Sequence, residues 1–278
     1  MSGRKKKLSL KLKQYNVLLI VALVVLMLLL GVLMVFKIFG NSDYYKVESR
    51  EENISKSRET DNADHETIGW LRVQGTNIDY PVYGVLSHDF DYPVVSETFT
   101  WSLNDDSDFH STMIVYGHNV MNLGPNPSLH DEHFTRMEEL MGFVYYDFAK
   151  ENQYIQLSMN GKEYLYKIYA AGFAPLNDLN GFPSGEFSEQ AKKSYMEFVK
   201  EGSFYDYDVD VNQDDDILSV VTCSRFFEDG ENYDFIVTGR MVREGEKIQQ
   251  SSVHRNKNYE KVLEKLEGAE DDESKENA

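Results

Sequence analysis

The chain has 278 residues, enough for one good-sized catalytic domain with appendages or for two small domains. Hydrophobic residues make up 41% and charged residues 27%, which excludes a wholly disordered chain and a multi-span membrane protein. A formal net charge of -19 argues against duplex nucleic acid as a partner of the bulk of the protein. The single cysteine, Cys223, excludes an intramolecular disulfide and any zinc site built on two thiolates.

Residues 1–16 form a basic segment, with Arg4, Lys5, Lys6, Lys7, Lys11 and Lys13 and no acid. From Val17 to Phe36 no residue is charged. At 1.5 Å per residue that run covers roughly 30 Å, the hydrocarbon thickness of a bilayer. It exceeds the roughly 7–15 apolar residues of a cleaved signal peptide, and no small-residue cleavage site follows it. The expectation is an uncleaved, single-pass transmembrane helix over 17–36. The basic flank then stays cytoplasmic and everything after Lys37 lies outside the cell. A lone thiol kept in an oxidising compartment points to a thiol that is used.

Residues 37–64 are polar and read as an extracellular stalk with room for a short helix. The globular pattern covers 65–243. IGWLRV and NIDYPV are short alternating runs separated by Gly75-Thr76, and STMIVYG (111–117) is a third strand. YIQLSM and EYLYKIYAAGF, split by Asn160-Gly161, predict a hairpin. EQAKKSYMEFVKE has helical spacing, with Tyr195, Phe198 and Val199 on one side. DILSVVTC (216–223) reads as a buried strand and YDFIVTGRMV (233–242) as another. The fold class is therefore mostly β with helical insertions, a barrel or sandwich. Residues 244–278 form a charged C-terminal extension, read as one exposed helix followed by an acidic tail.

Cys223 closes an apolar strand just before the polar stretch SRFFEDGEN. It reads either as a buried structural cysteine, packed as a small hydrophobe, or as a nucleophile held at a strand end. A thiol nucleophile needs a base or a cationic partner. Seven histidines are available: His65, His88, His110, His118, His130, His133 and His254. His118, in Val-Tyr-Gly-His-Asn, directly follows a strand and a glycine that lets the chain turn. The plain alternative is a solvated turn histidine. His130 and His133 lack an evident third metal ligand and fail the HExxH template. The acidic run DYDVDVNQDDD fails as an EF-hand, because Val211 and Ile217 stand where glycine and glutamate belong. It remains a solvated acidic loop or an irregular calcium site.

The segments IGWLRVQGTNIDYPVYG, TMIVYGHN and ILSVVTCS, in that order, resemble the sortases, and specifically class B, over roughly residues 65–243. The helical stretch before the cysteine strand resembles the helix that class B carries between its sixth and seventh strands. The resemblance implies an eight-stranded sortase-type β-barrel. It also implies a cysteine transpeptidase, of the thiol-protease type, that joins exported proteins to the Gram-positive cell wall or into pili. Its partners would be proteins bearing a C-terminal sorting signal, and an amine from a peptidoglycan precursor or a pilin lysine. No metal or organic cofactor enters these steps. Cys223 matches the family's nucleophile and His118 its acid/base histidine. The family's arginine commonly precedes the last strand's apolar run, and Asp234 stands there instead. Arg225, two residues after the cysteine, is then the expected oxyanion donor, with Arg240 as the alternative if the register slips. Two other readings stay open. One is a sortase-fold protein that binds sorting signals with weak or no turnover. The other is an extracellular adhesion or sensor module with a structural cysteine.

Overall fold

In a computed structural model of the chain, the described residues are 23, 27, 50–59, 61, 66–83, 94–95, 112–117, 137–175, 189–224, 226 and 233–264. The chain divides into two units, Met1–Lys46 and Val47–Ala278. In the first, Leu23 and Met27 are helical and exposed. The rest of the anchor expected over 17–36 lies outside the described residues. Among those residues no helix is long and apolar enough to cross a membrane.

The second unit is mostly β. Helix α1 (Glu51–Arg58) leads into β1 (Thr67–Val73), β2 (Asp79–Tyr83), β3 (Val94–Val95) and β4 (Thr112–Gly117). A 3-10 segment (Glu138–Val144), α2 (Tyr146–Glu151), β5 (Tyr154–Met159), β6 (Lys162–Pro175) and α3 (Glu189–Gly202) follow. The chain then forms β7 (Tyr205–Tyr207), β8 (Ile217–Ser224), β9 (Tyr233–Met241) and β10 (Val253–Arg255). One sheet closes on itself in the order β1, β2, β3, β4, β8, β9, β6, β5, while β7 and β10 pair as a separate ribbon. The expected count of eight barrel strands is corrected. Among the described residues seven strands have full length, and the place between β2 and β4 is filled by the two residues of β3.

Local chemistry accounts for these elements. β1 alternates between buried and half-buried positions, with Leu71 and Val73 in the core. β8 is covered on both faces, so it reads as a nearly continuous apolar run. Asn160 and Gly161 both take left-handed φ, 53° and 68°, the pair of values that a two-residue type I′ hairpin requires. Helix α3 buries Tyr195, Met196 and Val199 against the sheet and leaves Phe198 half-buried.

Two segments read from sequence as peripheral are docked. In the expected stalk, α1 buries Ile54, and Arg50 pairs with Asp79 at 3.3 Å. In the C-terminal extension Val253, Tyr259 and Val262 are buried, so these residues are no exposed helix. Tyr146 donates to the Val253 carbonyl at 2.9 Å, and the Arg255 guanidinium lies over the Tyr146 and Tyr259 rings at 4.5 and 4.9 Å. Aromatic and cationic side chains scattered along a polar sequence thus make a strap that hydropathy alone does not reveal. Residues 265–278 lie outside the described residues.

Gly117 also differs from expectation. Its φ is not left-handed, so it does not serve as a turn glycine. A Cβ there would come within 2.0 Å of Met137 Cγ, so glycine is needed for close packing. Gly117→Ala should therefore lower stability by about 1–3 kcal/mol. Added to Met137→Ala it should cost little more, because the clashing atoms are then gone. Urea unfolding of the two single variants and the double variant measures this coupling.

Candidate active site

β8 is shared by two ladders. On one side it runs parallel to β4, with Gly117 beside Thr222. On the other it runs antiparallel to β9, with Cys223 directly opposite Asp234. The Thr222 hydroxyl donates to the Gly117 carbonyl at 2.8 Å and ties the ends of β4 and β8 together.

Side chains alternate along a strand, so Ser219, Val221 and Cys223 share one face of β8. Ser219 and Val221 are fully buried there. Tyr195 of α3 donates to Ser219 Oγ at 2.6 Å, and Ser219 and Thr238 share a hydrogen bond of 2.9 Å. The cover ends at Cys223, which is exposed while the other residues of β8 are buried. Cys223 is therefore not packed as a core hydrophobe.

His118 is the next residue in the chain after Gly117 and lies outside the described residues. So do Arg225, and His130 and His133. The neighbours of Arg225 are firmly placed: Phe226 stacks on Phe173 at 5.4 Å, and its N–H donates to Ser224 Oγ at 3.2 Å. Phe173 also contacts Tyr233 and Phe235, at 6.2 and 5.0 Å, so Phe226, Tyr233 and Phe235 share one aromatic cluster.

Asp234 is 2% exposed. Its Oδ2 accepts a hydrogen bond from the Tyr116 hydroxyl at 3.4 Å, while Oδ1 is buried with no hydrogen-bond partner among the described residues. Burial pushes the carboxyl up to about 6, against the opposing effect of the Tyr116 hydrogen bond. The Tyr116 phenol is itself raised far above its ordinary value, by burial and then by the Asp234 charge, so it stays a donor. The sequence reading passed over Tyr116. Its signal is position: it stands directly before Gly117-His118, on the β4 flank of β8.

Arg240 stands elsewhere. On β9 it pairs with Ile217 of β8, six residues from Asp234 and so about 20 Å along the strand from the thiol end. Its guanidinium is buried and spoken for. It donates to both oxygens of Glu246, at 2.5 and 2.7 Å, and through Nε to the Asp210 carbonyl at 2.8 Å. The alternative assignment of Arg240 to the thiol site is corrected accordingly. The acidic run is also engaged: Asp215 and Asp210 accept hydrogen bonds from Arg243 at 2.7 and 2.8 Å. Among the described residues no group of three or more His, Cys, Asp or Glu side chains is placed to hold a metal.

Arg240 and its partners carry stability at the end of the barrel away from the thiol. The guanidinium hydrogen bonds hold Glu246 down at about 2, so its contribution is present above the ordinary glutamate range and is lost as pH falls through about 2. Arg240→Ala should cost about 2 kcal/mol or more in urea unfolding, by stripping Glu246 of its partner. It should leave the alkylation rate of the Cys223 thiol unchanged.

No protein-family model matches the chain. Sortase B of Staphylococcus aureus is 23% identical over 164 residues, a match that spans 56% of this chain and 62% of that relative's length. The structure of Clostridium perfringens sortase B superposes with a TM-score of 0.52 at 23% identity, covering 69% of this chain and 100% of that one. The S. aureus sortase B-substrate complex superposes with a TM-score of 0.51 at 17% identity, covering 76% of this chain and 92% of that one. The chain thus has the sortase fold, and in sequence it is similar to sortase B over part of its length.

Proposed function

We propose that the chain is a class B sortase-type cysteine transpeptidase. The observation that carries this reading is the β4–β8 register. It sets Gly117, the residue before His118, beside Thr222, the residue before an exposed Cys223. Consecutive Cα atoms are about 3.8 Å apart. Chain continuity from two adjacent, tied strand ends thus supports a Cys223–His118 pair.

The substrate is a sorting signal near the C-terminus of an exported protein. The Cys223 sulfur attacks a backbone carbonyl carbon, forming a C–S bond and an oxyanion. When that oxyanion collapses, the C–N bond breaks and His118 gives its proton to the departing amine. An amino group from a wall precursor or a pilin then attacks the thioester, after passing a proton to His118, and the thiolate leaves. Water is the competing nucleophile. Arg225 is the proposed basic donor to the oxyanion. The anchor at 17–36 would keep the domain outside the membrane, where exported substrates and lipid-linked precursors meet at raised effective concentration.

The test is incubation of the full-length protein in detergent with a panel of sorting-signal peptides, followed by mass spectrometry of Cys223. The expected product is a covalent acyl adduct that an added amine discharges. Cys223→Ala should abolish it while unfolding stays cooperative, because a thiol-to-methyl change removes little volume. His118→Ala should be nearly as damaging if the pair acts as a unit. Arg225→Ala should slow acylation by about 10²–10³. Binding of the peptides without an adduct would instead support a sortase-fold binder that does not turn over.

For topology, protease added to intact, wall-stripped cells should degrade the domain after residue 37. Full protection would place it on the other side of the membrane.

A further inference from the structure

We propose that Asp234 works as a neutral carboxylic acid beside Cys223, its Oδ1–H donating a hydrogen bond to the acyl oxygen of a peptide held on the thiol. The inference rests on the transpeptidase reading and deepens it.

The first argument is register. Cys223 and Asp234 are directly opposed on neighbouring antiparallel strands. Such pairs project to the same face, with Cβ atoms about 4.5–5.5 Å apart. The second is the bridge from Tyr116. Tyr116 belongs to β4 and Asp234 to β9, and β8 runs between those strands. A hydrogen bond of 3.4 Å between the two side chains therefore spans β8 on the face that carries the thiol. This bond takes up Oδ2 and orients the carboxyl group. The third is the orphaned oxygen. Oδ1 is buried with no hydrogen-bond partner among the described residues, on a side chain only 2% exposed. A buried polar atom without a partner is costly, and a peptide carbonyl seated at Cys223 supplies the acceptor that a protonated Oδ1 lacks.

The ionised form would do the reverse. Its charge would oppose an oxyanion on the acyl carbon and raise the thiol's own proton affinity. The titratable groups that face Asp234 among the described residues are Tyr116 from β4, Cys223 from β8 and Tyr195 from α3. The β6 residue paired with it is Ala174, which carries no charge. Both phenols are raised and stay neutral, so the carboxyl charge is set by the burial that pushes it up to about 6. Above that value the donor form falls off by about tenfold per pH unit.

The experiment is single-turnover acylation of the full-length protein by a p-nitrophenyl ester of a sorting-signal peptide, whose phenolate leaves without a proton from His118, from about pH 5 to about pH 8. At each pH the rate is divided by the rate of Cys223 alkylation by iodoacetamide, which carries the thiolate fraction but offers no acyl oxygen to Asp234. In the wild type this ratio should fall by about tenfold per pH unit above pH ~6. Asp234→Asn should flatten the profile, because an amide N–H donates at every pH and keeps the side chain's shape. Asp234→Ala should lower the ratio at the acid end by about 10²–10³. Tyr116→Phe removes the hydrogen bond that favours the carboxylate, so the falling limb should move to higher pH. A wild-type profile retained in Asp234→Asn, or full acid-end activity in Asp234→Ala, would overturn the role of Asp234 and leave the transpeptidase reading standing. Absence of acylation in the wild type at every pH would overturn both.

Discussion

The parallel ladder between β4 and β8 is the constraint on which the rest of the chain depends. Antiparallel strands can be joined by a tight turn, but parallel strands need a long crossover. Here the crossover runs from Gly117 to Ile217 and contains the 3-10 segment, α2, the β5–β6 hairpin and α3. These elements all lie between the two strands whose ends meet. The meeting point is then pinned by Thr222 donating to the Gly117 carbonyl and by Met137 filling the space that Gly117 leaves empty. The ends of β4 and β8 are thus joined over a sequence separation of about a hundred residues, so their meeting is a product of the whole domain.

β9 shows how the two ends of one barrel are used differently. At one end Arg240 is buried in a bidentate ion pair with Glu246, and Arg243 joins Asp215 and Asp210 nearby. Charge there is matched by charge, which a buried guanidinium requires. At the other end Asp234 is equally buried, yet it has one weak hydrogen bond and no ion pair among the described residues. Between them the Tyr195, Ser219 and Thr238 hydroxyls satisfy one another under α3. An unmatched polar group at the thiol end, in a strand otherwise fully satisfied, is where a fold departs from its own packing rules in favour of chemistry.

Local signals in the sequence were legible where one element settles its own conformation. The Asn160-Gly161 turn, the alternation in β1, the apolar run of β8 and the Tyr195 side of α3 can each be read within a short window, since period and turn chemistry are short-range properties. Other features had no such window. β3 is two residues long, α1 is held through Ile54 and Arg50, and the C-terminal strap is held by Arg255 and Tyr259 acting on aromatic rings far away in sequence. Gly117 looked like a turn residue because glycine usually signals backbone freedom, but its partner Met137 lies twenty residues on and leaves no trace in the local pattern.

By itself the sequence determined the mostly β class, the positions of the longer strands, and the candidates Cys223, His118 and Arg225, because apolar periodicity and ordered motifs are carried by neighbouring residues. Only the tertiary structure decided which strand ends meet. It placed Asp234 opposite Cys223, carried Arg240 about 20 Å away into an ion pair, and brought Tyr116 across β8. It also decided the state of the Asp234 carboxyl. The proton affinity of a side chain depends on how much water is removed from around it, and that is a property of the packed barrel rather than of any run of residues.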